Sequence, residues 1–153
     1  YEALGFTNVE TYLQSGNVVF NSKIKSKEKI SFRISEAIHQ QFGYNVPVEV
    51  LRSDELISLF NENHFLHEKD TKMELCHVTI LNKPSLIKDE KLVQLKMAEG
   101  EQYVIKKNIV YLMCPHGYGK TKLNNTFFEK LFGCCATTRN WKTISALSKM
   151  LQE

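Results

Sequence analysis

No apolar run in this sequence approaches the ~20 residues that a membrane-spanning helix needs. Cysteine is sparse and poorly spaced for metal: Cys76, Cys114, Cys134 and Cys135 match no zinc-ribbon pattern such as C-x-x-C. Adjacent cysteines rarely bond to each other, because the small ring is strained. All four are therefore read as reduced thiols, mostly small buried apolar residues. Catalytic signatures are also missing: there is no G-x-S-x-G, no H-E-x-x-H and no paired-carboxylate pattern. No cleavable leader pattern opens the chain, so the expected compartment is the cytoplasm. Tyr1 is not an initiator methionine, and the chain is expected to begin inside a longer one.

Acidic residues run short toward the C-terminus. Residues 100–153 carry 8 Lys+Arg against 3 Asp+Glu, a net +5, whereas residues 1–99 carry 12 against 14, a net −2. A basic half attracts phosphates or nucleic acid; a merely solvated surface is the plainer reading. Hydrophobic content of 42% and charged content of 24% are those of a soluble globular protein.

The elements follow from periodicity and breakers. Residues 1–4 read as the tail of a helix stopped by Gly5. Two β-rich runs, 8–14 and 18–21, flank Ser15, Gly16 and Asn17 and form a hairpin. Ser26 caps a helix reaching Phe42, with Ile30, Ile34, Ala37, Ile38 and Phe42 on one face and Gly43 ending it. Val46, Val48 and Val50 alternate as a half-buried strand. Ser53 caps a short helix to about Phe60. Residues 61–73 are polar and rich in His and Glu, and are read as a linker. A strand over 74–81, a helix over 88–97 and a hairpin of 102–105 with 109–113 follow. Leu123, Phe127 and Leu131 mark another helix. A short strand is expected at 134–137 and a last helix over 140–151.

The expected fold is α+β, with two tandem ferredoxin-like (split βαβ) units. An N-terminal unit covers 1–60, a linker 61–73 and a C-terminal unit with a terminal helix 74–153. The later unit reads β-α-β-β-α-β. The earlier one has the same order without its opening strand and most of its first helix. That strand is central in such a sheet, and buried unpaired backbone groups are costly. About 25–30 residues are therefore expected ahead of Tyr1.

Three segments carry a family resemblance: Gly5-Phe6-Thr7 with Thr11-Tyr12-Leu13-Gln14-Ser15-Gly16-Asn17-Val18-Val19-Phe20; Gly117-Tyr118-Gly119-Lys120-Thr121-Lys122-Leu123; and Ala136-Thr137-Thr138-Arg139-Asn140-Trp141-Lys142-Thr143. With them the chain resembles the bacterial domain-of-unknown-function family 1697. The family's usual opening, a strand and an Arg-Gly-Ile-Asn-type turn, is absent here. The resemblance implies tandem ferredoxin-like units and no activity.

The candidate site gathers in the basic half. Gly119-Lys120-Thr121 invites a P-loop reading, but that motif needs Gly where Cys114 stands, and it follows a βαβ strand rather than a hairpin. The expected site is a weaker anion-binding turn: Gly117, Tyr118 and Gly119, then Lys120, Thr121 and Lys122 at a helix N-terminus. Arg139 and Asn140 are placed at a second helix start capped by Thr137 or Thr138. Arg139 would pair with a phosphate or carboxylate. Trp141 is read as core, with stacking on a base as the alternative, and Gln14 to Asn17 as a polar turn. His64, His67, Glu68, Cys76 and His77 form no ligand set of known spacing, so no metal is expected, and no cofactor. Cys134 and Cys135 lack a nearby histidine. The leading function is a non-catalytic binder of a phosphate-bearing small molecule or nucleic acid. The alternatives are an interaction or oligomerisation module and an enzyme of unidentified reaction. The aromatic patterns of an RNA-recognition motif are missing; Tyr103 and Tyr111 are the nearest substitutes.

Overall fold

A computed structural model describes residues 1–12, 16–67, 71–85 and 90–152. Among them the fold is mixed α+β, with two antiparallel sheets and five α-helices. The chain divides into two compact units: Tyr1–Ile57 with Ala146–Glu153, and Ser58–Ser145.

The N-terminal unit opens with a 3-10 turn, Glu2–Leu4, closed by Gly5 at φ 81°, where a left-handed backbone suits glycine. Strands β1 (Thr7–Tyr12) and β2 (Asn17–Asn21) pair antiparallel, with a register break between Thr7 and Glu10. Asn8 sits at that break with φ 50°, a conformation asparagine tolerates. Of the expected turn, Gln14 and Ser15 lie outside the described residues. Asn17 donates from its side chain to the Tyr12 carbonyl at 3.3 Å.

Helix α1 (Lys27–Phe42) starts where Ser26 accepts from the Lys29 amide and stops at Gly43, whose amide donates to His39. Its buried Ile30 and Ile34 form a small core with Phe6, against which Val9, Phe20, Val48 and Val50 pack. The strand expected at 46–50 is not formed: among the described residues the segment pairs with no strand. Instead Ser31 and Ser35 of α1 donate to the carbonyls of Val48 (2.6 Å) and Val46 (2.9 Å). Ser53, expected from sequence to cap the next helix, is instead the first residue of α2 (Ser53–Asn61). The Glu55 carboxylate reaches back to the Arg52 amide at 2.8 Å, as in the returning arm of a capping box.

The larger unit takes in the end of α2. Within the stretch read above as a linker, some of the described residues are buried. Asn63 and Phe65 are buried there in and beside a 3-10 turn, His64–His67, with the Asn63 side chain accepting from the Phe65 amide. The remaining elements are β3 (Cys76–Leu81), α3 (Glu90–Lys96), β4 (Gln102–Lys106), β5 (Ile109–Met113), α4 (Asn125–Phe132), β6 (Ala136–Asn140) and α5 (Trp141–Met150). The expected start of α3 at Lys88 lies outside the described residues. The sheet runs β4-β5-β3-β6, all antiparallel, so β3 is central and β6 an edge. Strand β6 begins later than the expected 134–137 because Gly133, at φ 62°, first turns the chain out of α4.

Leu81, Val93, Val110, Leu112, Leu123 and Phe128 make the core between the sheet and α3 and α4. Each such side chain contributes roughly 1.5–3 kcal/mol by leaving water. Leu81→Ala is expected to cost about 2–5 kcal/mol. Leu95→Ala, on a side chain 80% exposed, should change stability by less than about 0.5 kcal/mol. Urea unfolding followed by the fluorescence of Trp141, the single tryptophan, measures both.

Candidate functional site

Alternation along β3 places His77, Thr79 and Leu81 on one face. Their partners on β6 are Asn140, Thr138 and Ala136. Leu81 and Ala136 pack into the core under α3 and α4, so Thr79 and Thr138 point to that side as well. Between them lies a hydrogen-bond hub. The Thr138 hydroxyl donates to Asn125 Oδ1 at 2.5 Å. Its single proton thus committed, it accepts from Thr79 at 2.7 Å and from the Tyr118 hydroxyl at 3.0 Å.

The hub fixes the candidate turn. Gly117, at φ 88°, starts a 3-10 turn, Tyr118–Lys120, and its amide donates to the Cys114 carbonyl at 3.0 Å. Tyr118 stacks on His77 with ring centres 4.8 Å apart and planes 23° apart. Burial pushes the Tyr118 phenol above its usual pKa, and the Thr138 bond offsets this in part. Thr121 is buried, and its hydroxyl accepts from the Leu123 amide at 3.0 Å. Gly119, Lys120 and Lys122 remain exposed.

The helix starts expected at this site are corrected. Lys120, Thr121 and Lys122 do not open a helix: α4 begins at Asn125, capped by Asn124 Oδ1 accepting from the Phe127 amide at 3.0 Å. Thr121 spends its oxygen two residues on, closing a local turn instead. Arg139 likewise does not stand at a helix start. It lies in β6 opposite Val78, and the cap of α5 is Asn140, whose Oδ1 accepts from the Thr143 amide at 2.8 Å, not Thr137 or Thr138. The Arg139 guanidinium donates to Thr137 Oγ1 and the Thr138 carbonyl, both at 2.9 Å, and half-burial lowers its pKa. Adjacent strand residues face opposite ways, so Tyr118, bonded to Thr138, and Arg139 address opposite faces of β6.

Other candidates resolve simply. Trp141 is 4% exposed and stacks on Phe60 at 5.1 Å, a core role. Tyr111 is buried and donates to the Leu59 carbonyl, so its ring is no platform for a base. Burial and the neighbouring Cys135 raise the Cys134 pKa, which disfavours a reactive thiolate, and burial pushes Cys114 up to about 12. Glu68 lies outside the described residues; among those described, no group of three His, Cys, Asp or Glu is placed to hold a metal. No buried side-chain nitrogen or oxygen among them lacks a partner. Nor is any described helix long and apolar enough to cross a membrane.

Sequence reading missed the hub. Its signal was present: His77 and Thr79 are polar residues on the inward face of an otherwise apolar strand. Thr138→Val should destabilise by about 1–3 kcal/mol, because it strands the Tyr118 and Asn125 groups. In a double-mutant cycle with Tyr118→Phe the two effects should be strongly non-additive.

Burial also lowers the His77 pKa, against a smaller upward pull from the Leu75 carbonyl. The unfolded chain then takes up the proton first as pH falls, so stability drops below about pH 6.5. The urea midpoint should fall between pH 7.5 and 5.5 more in the parent than in His77→Phe. Equal falls would remove His77 from the account.

The fold is similar to that of "conserved bacterial protein SP0830 from Streptococcus pneumoniae", with a TM-score of 0.66 at 21% identity, over 99% of this chain and 84% of that one. At that identity the likeness concerns the fold alone. No curated protein matches the chain. The family match covers residues 1–111, hence the first of the three resembling segments; those around Lys120 and Arg139 lie beyond it. On that match the chain belongs to the family described as "Protein of unknown function (DUF1697)".

Proposed function

We propose that the chain is a non-catalytic binding protein that takes a phosphate-bearing ligand at the 117–122 turn. Arg139, on the opposite face of β6, stands apart from that turn. The observation that carries this reading is the anchoring of two exposed lysines. Lys120 and Lys122 alternate with Thr121, which is buried, and follow Tyr118, which is bonded to the sheet. Charges held on a fixed backbone lose less freedom on binding than lysines on a loose surface. Gly117 and Gly119 leave the backbone open to close approach, and the net +5 of residues 100–153 favours anions at longer range.

The finer fold reading is part of the proposal. The order β4-β5-β3-β6, with α3 and α4 as crossovers, supports a ferredoxin-like split βαβ unit. The N-terminal unit would be a second one without its opening elements. That fold serves binding and interaction alike, so it does not choose the function.

A second reading, an interaction module, is favoured by Phe42 and Tyr44, which are 62% and 69% exposed at the end of α1.

A thermal-shift screen with inorganic phosphate, nucleotides and short RNA and DNA tests the first reading. A ligand at a hundred times its Kd stabilises by about 2.7 kcal/mol, which should raise the parent's Tm by several degrees. The variant with Lys120 and Lys122 both changed to Ala should not respond. Equal response of both proteins, or of neither, removes the anion site and leaves the second reading.

A further inference from the structure

Positive charge gathers at one place in the otherwise acidic N-terminal part. Residues 22–33, Ser-Lys-Ile-Lys-Ser-Lys-Glu-Lys-Ile-Ser-Phe-Arg, carry five cations and one carboxylate, a net +4, inside a stretch, 1–99, that is net −2. Lysines stand at 23, 25, 27 and 29, leading into the first turn of α1. Lys27 pairs with Glu55 at 2.6 Å, and the one carboxylate, Glu28, accepts from the Ser26 hydroxyl at 2.7 Å. Lys25 and Lys29 make no ion pair among the described residues. Arg33 meets a neutral acceptor, the Leu4 carbonyl, at 3.0 Å.

The same residues line a concavity. An open, largely apolar cleft of about 820 Å³ lies beside the start of α1, with Ile24 and Phe32 set among Lys25, Lys29 and Arg33 on its walls. The core does not account for Phe32. It stands about 200° round α1 from Ile30 and from Ile34, the buried residues of that helix. It is 66% exposed, unusual for so large an apolar side chain. Lys29 lies one turn before both Phe32 and Arg33, so the three share a face.

From this apolar cleft with cationic walls, we propose that the start of α1 is a docking site for an acidic amphipathic helix of a partner protein. Charge complementarity selects the partner. Its apolar stripe sets a side chain against Phe32 and Ile24, as a helix does in a groove. Carboxylates beside that stripe meet Lys25, Lys29 and Arg33. Lys29 and Arg33 are about 6 Å apart along the axis, which matches carboxylates spaced i, i+4 on the partner. A concave wall suits a convex polypeptide better than a flat bilayer, and one ring gives a nucleic-acid strand a single base to stack on. The lysines hasten encounter, and the seating of Phe32 sets how long the complex lasts.

The test is fluorescence polarisation of the full chain with a labelled model helix of about 18 residues, five turns. The peptide carries leucines at i, i+3, i+4 and i+7 and glutamates beside them. Saturable binding is expected. Phe32→Ala, and Lys25→Glu combined with Lys29→Glu, should each weaken it by at least roughly tenfold. The replaced side chains are exposed, so urea midpoints should stay near the parent's. The charge-reversed protein should instead take the peptide with lysine in place of glutamate. Changing Lys120 and Lys122 to Ala, in the other unit, should leave peptide binding as it is. No saturable binding, no loss with Phe32→Ala, or equal affinity for a polyglutamate of the same charge overturns the inference. So does tighter binding of oligo(dT) or of anionic vesicles, or a sedimenting dimer that Phe32→Ala dissolves, which assigns the cleft to a second copy.

Discussion

A sheet's inner strands need a hydrogen-bond partner on both sides, and the larger unit meets that requirement through β3. Residues 76–81 give one edge to β5 and the other to β6. Five of the six are buried, so an unmet donor or acceptor there would be costly. Once β3 is central, much else is determined. Its alternation sends Leu81 into the core and aligns Thr79 with Thr138. That alignment makes the hydroxyl hub, and the hub holds Tyr118 and with it the candidate turn.

Much of the fold was legible in the sequence, because periodicity records burial. Ile30 and Ile34 marked the buried face of α1, and the hairpin of β4 and β5 was bounded almost as found. The same logic explains the failure at 46–50. The alternation of Val46, Val48 and Val50 did report burial, since Val48 and Val50 pack inward. Pairing, however, is a property of a neighbour, and the described neighbours of this segment are serine hydroxyls of α1. The helix start near Lys120 was misread for a related reason. Thr121 and Asn124 are both good capping residues; only the reach of each oxygen separates them. Thr121 bonds the amide two residues on and closes a turn, whereas Asn124 bonds the amide three residues on and opens α4.

The candidate site was less legible than the fold. Glycines and lysines declare an exposed turn locally, and Gly119, Lys120 and Lys122 are exposed. The hub joins residues 59 apart in sequence, through a strand register that no local pattern encodes. Arg139 shows the cost of that gap. Placed at a helix start, it would join the lysines on one anion. As a strand residue between Thr138 and Asn140, it turns to the other face.

Net charge alone does not distinguish a site from a solvated surface. Lys142 and Lys149 are exposed too, but they project from a regular helix. The turn differs because its intervening side chains are spent on the interior: Tyr118 on the hub and on His77, Thr121 on the Leu123 amide. Side chains committed inward keep the backbone from rearranging. The lysines they carry therefore stand on a fixed backbone, and it is on this that the proposed anion site rests.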